Sequence, residues 1–419
     1  MVKYQKTTSH DLLQRHFQNI ILAIFIESKI GQFHIDMQPN IPLVHPEIMK
    51  LRKELHTYPE LSGQEYETAK RIWKFAEKHA HTARIETFGK TAIAIIYEFS
   101  KKGKTIAIRC ELDALPIVEE NEFPHKSANT GVSHKCGHDG HMAMVSGLVF
   151  WLETQPIQNG KVILLFQPAE ETGKGAQMLV QDKKFEALGI DYVFALHNIP
   201  KEPINNIIIT PKGFSAEVIS VIIKTKGKEA HAAEPENGIN PALAISKIIG
   251  EMALLNHTDP HLEDFAVLTP VHLLMGEKAY GISPSNAELH YTIRTWNSTQ
   301  MSDLTSKIEA LVEQICRLHK LDFNLEWLEY FPASINDTEC SDQIHMAAFE
   351  NGLEIVQKNH PFKFGEDFGW YSKKYKTAMF GLGAGVDSPA LHHADYDFPD
   401  EIIGAGIQMF TSIIQNILK

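Results

Sequence analysis

The sequence predicts an α/β chain, a mostly parallel mixed sheet flanked by helices, interrupted by a smaller α+β domain. Three observations predict it. From about residue 90 to 212, short apolar runs alternate with helical patterns, the order that builds parallel sheets. Near Gly213 the pattern changes to strand, helix, two strands, helix and strand, and after Pro332 helix, strand and helix return. The 419 residues are 43% apolar and 22% charged, with no low-complexity block, heptad run or internal repeat. That composition builds sizeable cores and excludes disordered, collagen-like and coiled-coil classes.

Pro46–His56 reads as a helix with Ile48, Leu51 and Leu55 on one face, and Glu65–His79 as a second with Ala69, Ile72, Trp73 and Ala76. Thr91–Tyr97 and Thr105–Arg109 read as strands, with Lys102-Gly103 as a hairpin turn between them. A helix over Gly140–Leu152, the strand Val162–Phe166, a helix near Ala176–Val180 and the strand Tyr192–Leu196 follow. The inserted block gives strand Ala216–Lys224, helix Asn240–Leu255, strands Phe265–Leu274 and Ala287–Thr295, the amphipathic helix Met301–Leu318 and strand Asp322–Leu328. A helix over Asp342–Gln357, strand Thr377–Leu382 and helix Glu401–Leu418 close the chain. The domains expected are an N-terminal extension over 1–36, with Met37 as the initiator, a discontinuous catalytic domain over 37–212 plus 331–419, and the insert over 213–330.

Asp plus Glu (52) exceed Lys plus Arg (40), for a net charge of −12 without a basic stripe, which makes nucleic acid a poor partner. The four cysteines, Cys110, Cys136, Cys316 and Cys340, are too few and too scattered for a disulfide framework and point to a reducing, cytoplasmic compartment. The longest apolar run, Ile20–Ile26, is too short to span a membrane, and Asp11, Arg15 and His16 break any signal-peptide pattern.

The chemistry gathers in five segments: Arg109–Asp113, Cys136–His141, Glu170-Glu171, His197 and His392-His393. Four of them follow a predicted strand or lead into a helix, and open α/β sheets bind ligands at the carboxyl ends of their strands. Cys136-x-His138 is a compact pair of borderline-soft metal ligands; His138 and His141 also form an i, i+3 pair, and spacing does not choose between them. Of the adjacent acids, one can bind metal while its neighbour takes a proton from water. Asp113 stands where a carboxylate would orient a ligand histidine.

In order and spacing, six motifs match one family: Arg109–Ile117, His134–Met142, Phe166–Glu171, Leu196–Asn198, Gly227–Pro235 and Leu391–Phe398. With Leu51–Leu61 as its opening helix, the chain resembles, from about residue 45 onward, the binuclear-metal amidohydrolases. These include N-acyl-amino-acid amidohydrolases, hippurate hydrolases and auxin-conjugate hydrolases, and are relatives of aminoacylase and the glutamate carboxypeptidases. The resemblance implies two divalent ions (zinc, manganese, cobalt or nickel) held by Cys136, His138, Glu171, His197 and His392, the thiolate bridging. It implies Glu170 as general base, then acid, toward the attacking water, with Asp113 in support, and His231 and Arg294 as substrate-binding residues. It makes the insert a lid or dimerisation domain, hence a homodimer, and the reaction cleavage of an N-acyl amino acid. A dipeptidase with the same site and a non-catalytic metal-binding relative are the alternatives. Gly281 in Gly281-Ile-Ser-Pro284 stands where the family's lid carries asparagine.

Overall fold

A computed structural model of the chain describes residues 41, 43–155, 157–210 and 212–419, so the expected extension over 1–36 and Met37 as initiator lie outside the described residues. Helices α1 (Pro46–Thr57) and α2 (Tyr66–His79) precede strands β1 (Arg84–Phe88), β2 (Ala92–Glu98) and β3 (Lys101–Glu111). Helix α3 (His138–Leu152), β4 (Asn159–Gln167), the short helices α4 (Gly175–Gln181) and α5 (Lys183–Glu186), β5 (Tyr192–Ile199) and β6 (Ile207–Ile209) follow. The next block holds β7 (Glu217–Lys226), β8 (Ala230–His231), α6 (Ala242–Ala253), β9 (Ala266–Met275), β10 (Ile282–Ser283), β11 (Asn286–Thr295), α7 (Ser298–Leu318) and β12 (Asp322–Phe331). The chain closes with α8 (Thr338–Glu350), β13 (Ile355–Gln357), α9 (Gly369–Ser372), β14 (Lys376–Gly383) and α10 (Ile403–Leu418).

Eight strands form one sheet in the order β1-β2-β4-β3-β5-β14-β6-β13, with β4, β3, β5 and β14 parallel at its centre. These central strands are apolar without alternation because both faces are covered. Val162, Leu164 and Phe166 of β4 join the core made with α1, α2, α3, α8 and α10, and Ile163 and Leu165 join the core made with α4, α5 and α9. The block after β6 builds a separate antiparallel sheet, β12-β7-β11-β9. Val221, Ile223, Leu289, Tyr291 and Ile293 on one face of it pack against Ile245 and Ile248 of α6 and Ile308 and Val312 of α7.

Two local expectations are corrected. Lys102-Gly103 is not a hairpin turn: both residues lie inside β3, and β4 pairs with β2 on one side and β3 on the other. Gly103 lies there because a Cβ would stand 2.7 Å from the Gly160 nitrogen. Ile355–Gln357 does not continue a helix; α8 stops at Glu350, and these residues pair in parallel with Ile207–Ile209. β1, β6 and β13 are short edge or near-edge strands that carry little sequence signal.

A buried ion network locks four segments together beneath the site. His56 faces Asp139 Oδ2 at 2.7 Å and Glu119 Oε1 at 2.9 Å, and Lys135 Nζ reaches Glu119 at 2.6 Å and the Tyr396 carbonyl at 2.7 Å. Arg52 pairs with Asp139, Asp397 and Asp400. Burial opposes the His56 charge, but the Asp139 and Glu119 carboxylates outweigh it and push the imidazole up to about 9. Because this folded value exceeds the ordinary one of about 6.5, the stabilisation is complete below pH 6.5 and is lost as pH rises through about 9. The unfolding free energy of the wild type should therefore decline between pH 6.5 and 9, and that decline should flatten in His56→Gln; equal slopes in urea titrations would contradict the charged assignment.

Candidate metal centre

The carboxyl ends of β3, β4 and β5 bring the predicted residues to one rim. Helix α3 is apolar around its whole circumference and fully buried over its first turns, so its amino end is fixed in place. Gly137 precedes it at φ 98°, where a Cβ would stand 2.5 Å from Asn198 Oδ1; only glycine makes this turn between Cys136 and His138. Ala169 (φ 53°) and His392 (φ 65°) also hold left-handed backbone beside the site, the kind of local strain that accumulates at functional centres. Glu65 holds the first by accepting from the Ala169 nitrogen at 2.8 Å, and the Lys135 carbonyl holds the second by accepting from the His392 nitrogen at 2.8 Å.

Cys136 Sγ lies 3.4 Å from His197 Nε2, His138 Nε2 lies 3.9 Å from both Glu170 Oε2 and Glu171 Oε1, and His392 Nε2 lies 3.8 Å from Glu171 Oε1. The sets Cys136–His138–His197 and Cys136–Glu171–His392 each place three ligand atoms within 4.8 Å of one another. Ligands bound at about 2.0–2.3 Å to one tetrahedral ion are about 3.3–3.8 Å apart, so the spacing suits shared cations. His138 Nε2 and Glu171 Oε1 are buried with no hydrogen-bond partner among the described residues. Such orphaned atoms are costly unless something binds them, and a thiol, imidazole and carboxylate set is chemically fit for a divalent ion. His141 is engaged at both nitrogens, with Glu111 Oε2 and Asn198 Oδ1 each at 2.6 Å, which leaves His138 as the histidine of the pair with a free nitrogen facing the acids.

The Asp113 main-chain carbonyl accepts from His138 Nδ1 at 2.9 Å and so fixes the tautomer that leaves Nε2 available. The Asp113 carboxylate stands 3.5 Å from the ring and accepts from Ser62 Oγ and the Glu171 nitrogen instead. Burial, then the neighbouring Glu366 and Glu171, push the Glu170 carboxyl well above the usual range, and burial pushes Glu171 up to about 7 against the pull of His138. Burial lowers His197 to about 3, so it is a neutral ring with an available lone pair.

Arg294 lines one cavity of about 420 Å³ together with Cys136, Glu170, Glu171, His197 and His392, within the range of small-molecule sites. Its roof is the outer face of the four-stranded sheet, with Val218, Ser220, Thr292 and Phe331. His231 lies on β8, exposed and paired with Ile282, and is not among the residues lining this cavity. Gly281 stands beside it, with open space where a Cβ would be.

Sequence reasoning missed the underside of the site. Arg109, wholly buried, pairs with Glu111, with Glu366 at 2.9 Å and with Asp367 at 2.7 Å, while Gln167 bridges Arg109 and Asp367. Glu366 and Asp367 come within 4.8 Å of Glu170. They sit in the loop after β13, a strand too short to signal itself, where two adjacent acids carry no local mark of burial beyond the flanking Phe364 and Phe368. Removing one partner from a buried ion cluster costs about 3–5 kcal/mol. Arg109→Met should destabilise the fold by that order in urea unfolding, and Arg109→Lys should recover only part, because one ammonium cannot reproduce the guanidinium fork. A change within about 0.5 kcal/mol for Arg109→Met would contradict this role.

Residues 107–416 match the signature of the peptidase family M20/M25/M40. An N-acetyl-L-cysteine deacetylase of Bacillus subtilis is 32% identical over 356 residues, covering 85% of this chain and 84% of that protein. The structure of a dinuclear metal-binding M20 peptidase from Bacillus subtilis superimposes with a TM-score of 0.76 at 27% identity, covering 89% of this chain and 98% of that one. A structure from methicillin-resistant Staphylococcus aureus does so at 0.80 with 26% identity, covering 89% and 96%. The chain belongs to the peptidase family M20/M25/M40, as a metal-dependent hydrolase of amide bonds.

Proposed function

We propose that this chain hydrolyses an N-acyl amino acid to a carboxylate and a free amino acid. The observation that carries the reading is the convergence of Cys136, His138, Glu171, His197 and His392 around a buried acid, Glu170, that is left over as a base. The similarity to an N-acetyl-L-cysteine deacetylase and to a dinuclear M20 peptidase supports both the substrate class and a pair of ions. Cys136, His138, Glu171, His197 and His392 would hold two divalent cations, zinc, manganese, cobalt or nickel. Bound there, they would supply Lewis acidity toward the amide carbonyl and acidify water.

The other roles fall to the chain. Glu170 takes a proton from the attacking water and returns it to the leaving nitrogen, so one carboxyl serves as base and then acid. Arg294, lining the cavity and held by donation to the Lys363 carbonyl at 2.7 Å, presents its guanidinium to the substrate carboxylate. Asp113 keeps His138 and the Glu171 backbone in place. His231 receives no role within a single copy. Residues 213–330 act as the lid, and 37–212 with 331–419 as the catalytic domain. No helix of the described residues is long and apolar enough to cross a membrane, and four free buried cysteines support a reducing, cytoplasmic setting.

The lid also supports a homodimer. β9 is an edge strand whose Val271, Leu273, Leu274 and Met275 are exposed, an apolar edge of the kind that invites pairing with a second copy. Sedimentation should give twice the 47.2 kDa chain mass, and Leu273→Lys should shift it toward one; a monomer in the wild type would contradict the dimer. For the chemistry, Glu170→Gln should keep its bound metal and lose roughly 10²–10⁴-fold in kcat on N-acetyl, N-succinyl or N-benzoyl amino acids. Near wild-type turnover would remove Glu170 from the role of base.

A further inference from the structure

The cavity roof carries a carboxylate aimed inward by a break in its strand. Leu325 and Trp327 of β12 pack on the helix side of the four-stranded sheet, so regular alternation would put Leu328 on the cavity side and return Glu329 to the helix side. The register against β7 shifts between Leu328, opposite Ser220, and Phe331, opposite Val218, so Glu329 and Tyr330 together oppose Ile219. A bulge of this kind re-aims a side chain. Glu329 takes the left-handed backbone at φ 51°, unfavourable for a residue with a Cβ. The result is that Glu329 lines the cavity of Cys136, Glu170, His197 and Arg294, where Ser220 Oγ donates to its Oε2 at 3.3 Å.

An acid serving only solubility needs neither the bulge nor that backbone. Glu329 is exposed at the open side of a cavity that also holds Glu170, Glu171 and Glu366, so a cationic group entering there meets negative charge from the roof as well as from the floor. Among the described residues, Glu329 has only the Ser220 hydroxyl and Arg294 only the Lys363 carbonyl as side-chain polar partners. β12 and β11 flank β7, which sets the backbones of these two residues two strand spacings apart, about 10 Å, with Val218 and Ser220 of β7 between them. That is a roof for a ligand bearing both an anion and a cation.

We propose that Glu329 is a specificity-determining residue that selects substrates with a cationic side chain, an N-acyl diamino acid or other basic N-acyl amino acid. Arg294 takes the α-carboxylate and Glu329 the side-chain cation. This rests on the amide-hydrolysis reading above. The test compares Nα-acetyl-L-lysine and Nα-acetyl-L-ornithine with the neutral Nα-acetyl-L-norleucine on manganese-loaded protein. Hydrolysis is followed in the wild type and Glu329→Gln, and equilibrium binding in the same two forms carrying Glu170→Gln. The wild type should prefer the cationic ligands by about tenfold or more in kcat/KM and in binding, the scale of one charge-assisted hydrogen bond. Glu329→Gln should bring that ratio to within about threefold of unity through KM, leaving the neutral substrate unchanged, and Glu329→Lys should invert it. No preference in the wild type, or a preference that survives Glu329→Gln, overturns the proposal. Absence of hydrolysis with the charge preference intact in binding overturns the amide-hydrolysis reading and leaves the role of Glu329 in place.

Discussion

Everything at this site follows from burying negative charge. Glu111, Asp113, Glu170, Glu366 and Asp367 are all buried at one end of the large sheet, with Glu171 beside them. Ionised carboxylates removed from water repel one another and are tolerated only when positive charge is supplied at close range. From beneath, Arg109 supplies it to Glu111, Glu366 and Asp367. On the cavity side no lysine or arginine approaches Glu170 or Glu171 among the described ion pairs; imidazoles do, His138 at 3.9 Å from both and His392 at 3.8 Å from Glu171. The unbalanced side is the one that carries a thiol, three imidazoles and two orphaned ligand atoms. A site arranged in this way would gain stability when cations bind, and the same imbalance pushes the Glu170 carboxyl above the usual range.

The scaffold spends its regularity on making that end rigid. Parallel strands covered on both faces deliver Glu111, Gln167 and His197 to a common edge, and the buried first turn of α3 delivers His138 there. His392 comes from the long loop between β14 and α10. The ion network of Arg52, His56, Glu119, Lys135 and Asp139 ties that loop to α1 and α3 through the Tyr396 and Phe398 carbonyls. One face of α3 thus turns His138 toward Glu170 and Glu171 while the next residue, Asp139, anchors the network behind it. The lid contributes differently: its helices bury one face of a four-stranded sheet, and the bare face becomes the roof of the cavity.

Much of this was legible in the residues. The central strands are apolar runs of the right length, and the ligand positions follow them, because period and composition record burial directly. What the sequence did not disclose is neighbourhood. Two apolar runs joined by Lys102-Gly103 look like a hairpin, since nothing local says that β4 comes between them. Ile355–Gln357 looks like the end of a helix, since a three-residue strand carries less signal than the helical pattern before it. Glu366 and Asp367 look solvated because their counter-charge, Arg109, is 257 residues away. The choice between His138 and His141 turned on which nitrogens Glu111 and Asn198 occupy, a tertiary fact. Glu329 was invisible because a bulge, by definition, breaks the alternation from which a side chain's direction is read.

Cations balancing the cavity-side carboxylates are what this site depends on. Anomalous diffraction from crystals of manganese-loaded protein measures this without reference to any substrate. Two manganese peaks are predicted, bounded by Cys136, His138, Glu171, His197 and His392, with Glu170 beside them. Peaks placed elsewhere, or none at this cluster in protein with a reduced Cys136, would contradict the account.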